Sequence, residues 1–358
     1  MKVVHVVEAL AGGVHTYFKD LSDFFGDPEV NKNVQTTIIY SSKREQVAAD
    51  KITTQFSKGV QLIELNMERE LSPLQDLKTI YQLAKLIRNL KPDVLHLHSS
   101  KAGVVGRVAS LLSFRKPKLF YSPHGYSFLR TDISNSKRKL FKAIETNIQR
   151  IFGGQTIACG DTEYTIAKQI GTSHLIRNGI NVNAIASIAQ PVTSFPLTIG
   201  IVGRITHARN PQLFNDIALR FPEYNFLWIG GGELAMQLTA PNITITGWLI
   251  DRELALQQLS TVAIYLQTSL WEGLPIAVLE AMAMQKPVIA TNIIGNKDVV
   301  VPNKTGFLFN DLAVLDAHLK LLNDEKRRAE LGANGLRRVQ EFFDSNANFK
   351  ALLGLYYR

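Results

Sequence analysis

Short runs of apolar and β-branched residues alternate along the chain with longer amphipathic stretches, and after residue 196 the alternation begins afresh. Strands are predicted at 2–7 (KVVHVV), 34–41, 60–65, 93–98 (DVLHLH), 118–122 and 155–159. The second series is 197–203 (LTIGIVG), 224–229, 243–246, 262–267 and 287–291. Between strands, apolar positions recur at helical spacing, as in Val14, Tyr17, Phe18, Leu21 and Phe24. Strand–helix alternation implies parallel sheets covered on both faces. The fold class expected is therefore α/β, with two doubly wound Rossmann-like domains facing across a cleft. A chain of 358 residues is also too long for one comfortable core. The expected boundaries are a first domain over 1–182, a linker over 183–196 with two prolines, and a second domain over 197–340. A terminal helix over 341–358, with Phe349, Leu352, Leu353 and Tyr356 on one face, is expected to pack back toward the first domain.

Bulk properties exclude several classes. The composition (46% hydrophobic, 20% charged) is that of a folded α/β protein rather than a disordered or fibrous one. The single Cys159 cannot form an internal disulfide, which fits a reducing compartment. The opening residues lack a signal-peptide apolar core, and no uninterrupted apolar run approaches membrane-spanning length. A cytoplasmic location follows as the expectation. The net charge of +9 resides wholly in the first half, and residues 101–150 hold 11 basic against 2 acidic side chains. So local a field argues for a face that meets an anionic partner. The stretch carries no recognisable nucleic-acid reading module, so nucleic acid is not expected. An anionic membrane surface is, which would place the protein peripherally at the inner face.

Sites in open α/β sheets form at the carboxyl ends of strands, and the segments following each strand hold the candidate chemistry. In 269–284 (SLWEGLPIAVLEAMAM) a loop bearing Glu272, Gly273 and Leu274 runs into Pro275, where a first helical turn would begin. Free amides and the dipole at a helix start suit a diphosphate. Glu280 follows Glu272 by eight positions, so the two carboxylates can reach hydroxyl pairs at either end of one elongated ligand. In 203–209 (GRITHAR), Arg204 and Arg209 follow the first strand of the second series. Guanidinium groups grip phosphate oxygens in fork geometry and stabilise charge growing on a departing diphosphate.

Other segments add weaker candidates. Gly12 and Gly13 follow the first strand and would allow close approach of a phosphate or sugar. Gly230, Gly231 and Gly232 are expected to shape a nucleotide pocket, with Gly247 and Trp248 bordering the base. His124, on the turn SPHG, is placed to bond a sugar hydroxyl or move a proton. His98 ends its strand beside Lys101, and with Arg107 and His124 they form the expected acceptor side. His96 and His98 share a strand face, but no third ligand or carboxylate pair accompanies them, so neither a metal nor any other cofactor is expected. The helix pattern of 134–152 sets Leu140, Phe141, Ile144, Ile148 and Ile151 on one face and Lys137, Arg138 and Lys139 on another.

Taken together, AGGVHTYFKDL, DVLHLHSSKAGVVGR, SPHG, RNGI, GRITHARN, EGLPIAVLEAMAMQKPVIAT and NKTGFLF resemble the retaining glycosyltransferase family 4, of the glycosyltransferase-B fold, over nearly the whole chain. The resemblance implies that Glu272 contacts the donor sugar and Glu280 the ribose. It implies that Arg204 and Arg209 clamp the diphosphate, and that the first domain binds the acceptor. Members of this kind build capsule, exopolysaccharide, lipopolysaccharide or glycolipid. Three positions depart from the family pattern: Arg209 where Lys is usual, Gly125 where some relatives have Asp, and Asp298 where Glu is common. They leave the reaction class intact and bear on donor identity.

The expected activity is transfer of a hexose, with retained configuration, from a nucleoside diphosphate sugar (a UDP-sugar) to a lipid-linked or saccharide acceptor. Glu272, His124, Arg204 and Arg209 are the candidate catalytic set, and metal-independent action is expected. A sugar-nucleotide 2-epimerase, a phosphorylase, and a non-catalytic nucleotide-binding partner subunit are the alternatives.

Overall fold

The computed structural model describes residues 1–8, 10–42, 54–68, 72–188, 197–249 and 251–358. The chain divides into two compact units. One comprises Met1–Asn178 together with Ser345–Arg358, and the other Gly179–Asp344.

The first unit holds β1 (Lys2–Val7), β2 (Gln35–Tyr40), β3 (Gln61–Glu64), β4 (Val94–His98), β5 (Lys118–Ser122), β6 (Gln155–Ala158) and β7 (Ser173–Leu175). They form one sheet in the order β3-β2-β1-β4-β5-β6-β7, and each pairing is parallel. The period of two in β1 decides which face each residue meets. Val3 and Val7 pack with Phe18, Phe25, Phe349 and Tyr356. Val4 and Val6 pack on the other face with Leu83, Ile87, Leu95 and Leu97. His5 shares the side of Val3 and Val7, and is fully buried there. The terminal helix Ser345–Tyr357 buries Phe349, Leu352 and Tyr356 in this unit, whereas Leu353 is only partly buried.

The second unit holds β8 (Thr198–Val202), β9 (Asn225–Ile229), β10 (Ile243–Ile245), β11 (Ile264–Gln267), β12 (Val288–Thr291) and β13 (Gly306–Phe309). Their order is β10-β9-β8-β11-β12-β13, again with parallel pairings. In both sheets the first strand in sequence lies between neighbours of opposite progression. The order therefore reverses at β1/β4 and at β8/β11, and those are the points where a doubly wound sheet opens a crevice for ligands.

Two strands have no counterpart in the expected series. Ser173–Leu175 is a three-residue edge strand with no apolar run. Gly306–Phe309 opens on a glycine pressed against β12, where a Cβ would lie 2.2 Å from the Val288 carbonyl oxygen. The segment expected as a linker begins inside helix Val182–Ala186, whose Val182 and Ile185 are buried. Its remainder, 189–196, lies outside the described residues.

Candidate active site

The switch point of the second sheet brings the loop after β8 to the loop after β11. Arg209 and Glu272, 63 positions apart, meet there as an ion pair through Nη1 and Oε1. The same carboxylate oxygen accepts from Ser269 Oγ at 2.7 Å and from Gln267 Nε2 at 2.8 Å. No bond to Glu272 Oε2 is formed among the described residues. Beneath them the Tyr265 hydroxyl donates to Gln267 Oε1 at 3.0 Å. Burial pushes that hydroxyl up from its ordinary pKa, and Arg209, Glu272 and Glu280 all act on it electrostatically. The sequence reading placed the charges but missed Tyr265 and Gln267, because strand residues read simply as core, and it gave Ser269, at the head of the loop, no role.

Glu280 sits in the second turn of helix Ile276–Ala283, whose eight residues are all buried. A helix apolar all round belongs in a core, and the one carboxylate in it requires a partner. Arg252 supplies it: Nε and Nη2 reach Glu280 Oε1 at 2.9 and 2.7 Å. Arg252 opens its own helix, Arg252–Ser260, 28 positions earlier. No local pattern links it to Glu280, and the sequence reading did not find it. Pro275 is the cap rather than the first helical residue. The preceding Gly273 and Glu272 abut Gly295, whose φ of 87° and crowding at 2.7 Å from the Gly273 oxygen exclude a side chain. Leu274 is buried.

The glycines after β9 shape the site by backbone contact. A Cβ on Gly230 would come within 2.4 Å of the Gly203 oxygen, and one on Gly232 within 2.4 Å of the Ile205 oxygen. They let the loop of Gly230–Gly232 lie directly against Gly203–Ile205, and so fix where GRITHAR emerges. Gly231 rests on Gly247 and Trp248 at the neighbouring strand ends. Trp248 is 51% exposed. Arg204 is exposed and makes no hydrogen bond or ion pair among the described residues. Arg209 is instead already engaged by Glu272.

In the first unit, Gly12 caps helix Gly13–Gly26 with a φ of 56° and open space on its side-chain face. His124 stands on the turn after β5, itself at a φ of 52°. Glu163 clamps that turn, accepting from the Gly125 amide at 2.7 Å and from the Cys159 amide at 2.8 Å. Three residues expected at the acceptor side are placed differently. Arg107 is 2% exposed. It donates to the Gly153 and Gly103 carbonyls and to Gln149 Oε1, and lies 4.4 Å over the Tyr121 ring. It knits the core of the unit. Lys101 pairs with Asp76 at 2.5 Å, and His98 is fully buried.

A third histidine joins the expected pair. His5, in register with His96 across β1 and β4, brings the ring nitrogens of His5, His96 and His98 within 4.8 Å of one another. That spacing suits a metal ion. However, His96 already bonds Tyr356 Oη and Ser122 Oγ through its two nitrogens. His98 is likewise bonded at both nitrogens, to His5 and His124. A metal would have to break these bonds.

Comparison with known proteins defines the class. The family model for Glycosyltransferase Family 4 matches residues 11–184, and that for Glycosyl transferases group 1 matches residues 196–324. The chain is a family 4-like glycosyltransferase of the glycosyltransferase-B fold. Among its relatives is the UDP-Gal:alpha-D-GlcNAc-diphosphoundecaprenol alpha-1,3-galactosyltransferase of Escherichia coli, 28% identical over 72% of this chain and 73% of that one. The capsular polysaccharide biosynthesis glycosyltransferase CapM of Staphylococcus aureus is 24% identical over 81% and 83%. Among solved structures, sucrose-phosphate synthase from Thermosynechococcus elongatus superposes with a TM-score of 0.81 at 18% identity, covering 100% and 98% of the two chains. Anabaena HepE in complex with UDP-glucose superposes with a TM-score of 0.77 at 17% identity, over 99% of each.

Proposed function

We propose that this glycosyltransferase moves a hexose from a UDP-sugar, with retention, to a lipid-linked saccharide in the assembly of a surface polysaccharide. The observation that carries the reading is the joining of Arg209 and Glu272 at the switch point of the second sheet. There a guanidinium lies ready for phosphate, and a carboxylate oxygen is left for a sugar hydroxyl. Two relatives support the nucleotide: one uses UDP-Gal by name, and the HepE structures hold UDP or UDP-glucose. The choice of acceptor follows the diphosphoundecaprenol-linked sugar named for the Escherichia coli relative.

Arg204 is free to turn toward the diphosphate, and Arg209 can pass from Glu272 to the phosphates as the carboxylate takes up the sugar. Amides at the start of helix Ile276–Ala283 add to the same anion cradle. The leaving phosphate, so held, accepts the proton of the acceptor hydroxyl on the face it departs from, which retains the anomeric configuration. The two guanidiniums supply the positive charge that a divalent ion would otherwise bring, so transfer should survive EDTA.

No helix among the described residues is long and apolar enough to cross a membrane. A peripheral contact is supported by helix Asn135–Phe152, where Lys137, Lys139, Lys142 and Arg150 are exposed beside Leu140 and Ile151. Phe114, 86% exposed, stands next to exposed Arg115 and Lys116.

The test is incubation of the purified chain with UDP-galactose or UDP-glucose and a GlcNAc-diphospholipid. A new α-linked disaccharide lipid and free UDP are the expected products. UDP released without a glycoside, or a requirement for inorganic phosphate, would replace this reading with an epimerase or a phosphorylase.

A further inference from the structure

Three histidines from three segments form one continuous hydrogen-bonded line inside the first unit. His5 Nδ1 lies 3.0 Å from His98 Nε2, and His98 Nδ1 lies 2.9 Å from His124 Nε2. The outer end is closed by the Asn178 amide, whose Nδ2 donates to His124 Nδ1 at 3.2 Å. The rings of His98 and His124 are stacked, 14° from parallel with centroids 5.2 Å apart.

Each link in such a line needs one N–H and one bare nitrogen. With Asn178 donating, His124 Nδ1 is bare and Nε2 carries the proton. That proton points at His98 Nδ1, so His98 also carries its proton on Nε2, which in turn points at His5 Nδ1. His5 is left with its proton on Nε2, a buried nitrogen with no hydrogen-bond partner. It lies among the Phe18 and Phe25 rings, whose faces accept an N–H weakly. Adding a proton at the outer end and passing it inward would strand a cation there, without a counter-charge. The line therefore does not conduct; it locks.

We propose that His98 and His5 are positioning residues that hold His124 as its neutral Nε2–H tautomer, so that Nδ1 is a lone-pair acceptor for a ligand hydroxyl that takes the place of the Asn178 amide. The ligand-facing half of this inference rests on the transferase reading above. It makes His124 a group that receives a hydrogen bond rather than a general acid. The groups around it agree. Besides His98 and Asn178, the Tyr17 ring packs edge-on at 5.0 Å, and the Glu163 carboxylate is spent on the Gly125 and Cys159 amides. Burial draws His124 down to a pKa of about 4 and His5 to about 3, and takes His98 and His96 well below their usual value.

The measurement is long-range nitrogen–proton NMR on the full-length chain labelled with 15N-histidine. At pH 7 His5, His98 and His124 should each show a protonated Nε2 and a bare Nδ1, and should remain neutral at pH 5.5. A His124 protonated on Nδ1, averaged between tautomers, or charged at pH 5.5 overturns the proposal. In His98→Leu the His124 nitrogens should average and its titration should move up toward the ordinary histidine range; an unchanged His124 signature there also overturns it. If that variant fails to fold, the wild-type spectrum decides alone. None of these readouts requires sugar transfer. A locked His124 in a chain that transfers no sugar sinks the transferase reading and spares the lock, and an averaged His124 in an active enzyme does the reverse.

Discussion

Glu280 shows how a single side chain can be assigned from its spacing and still lack half its explanation. Its distance from Glu272 in sequence suggested a pair of hydroxyl-binding carboxylates. Only the fold shows that it is 6% exposed and held by Arg252. A buried carboxylate stripped of its partner is costly, so Arg252 both stabilises Glu280 and orients it. Arg252→Ala should raise the KM for the UDP-sugar about tenfold, the value of roughly one charge-assisted hydrogen bond, with kcat less affected. Glu272→Gln, which cannot hold Arg209 as an ion pair, should instead cut kcat on the order of a hundredfold. Steady-state kinetics of the two variants check the split, and equal effects on both constants would refute it. Gly230 belongs to this scale too. Its φ of 136° and the Gly203 oxygen beside it leave no room for a methyl group, so Gly230→Ala should displace the GRITHAR loop and weaken donor binding, read as lost thermal protection by UDP.

At the scale of elements, helix Asn135–Phe152 has a polar, strongly basic outer face. It is anchored by few buried positions, Glu145 and Gln149 among them. Glu145 accepts from Tyr121 and Ser100, and Gln149 from Arg107. Its fully buried positions are thus polar, Phe141 packs partly buried against the core, and Leu140 and Ile151 are left exposed. Each basic residue near an anionic bilayer contributes about 1 kcal/mol. Reversing Lys137, Lys139 and Lys142 to Glu should lower partition into vesicles containing phosphatidylglycerol by at least about tenfold, while leaving affinity for UDP unchanged. Sedimentation with vesicles at low and high salt is the measurement, and equal binding by the variant would remove the membrane contact from the proposal.

For the molecule as a whole, the buried histidines tie stability to pH. His5 has a folded-state pKa of about 3, against about 6.5 when unfolded. Between those values the unfolded chain binds a proton that the folded one does not, so stability falls as pH drops. It is complete above about pH 6.5 and declines steadily below. At pH 5 the cost from His5 alone is about 2 kcal/mol, which should lower the unfolding temperature by roughly 4–8 °C relative to pH 7.5. Thermal unfolding followed by circular dichroism gives the shift, and His5→Phe should remove the His5 share of it while His96, His98 and His124 keep theirs. The terminal helix bears on the same core, since Tyr356 bonds His96 at 2.5 Å across 260 positions. Tyr356→Phe should destabilise the first unit by about 1 kcal/mol, visible in the same measurement.

The amino-acid order alone determined the two-sheet α/β plan, most strand positions and the segments that hold Arg204, Arg209, Glu272 and Glu280. Those follow from local periodicity and from the rule that ligands meet the carboxyl ends of parallel strands. It did not disclose Arg252, Tyr265, Gln267 or the His5–His98–His124 line, and it placed Arg107 and Lys101 at a ligand where Arg107 is held in the core and Lys101 is paired with Asp76. Partners at such separations are chosen by sheet register and by the requirement that buried polar groups be satisfied. Both are properties of the assembled chain. A strand pattern shows that His96 and His98 point to one face, but only the alignment of β1 with β4 sets His5 beside them.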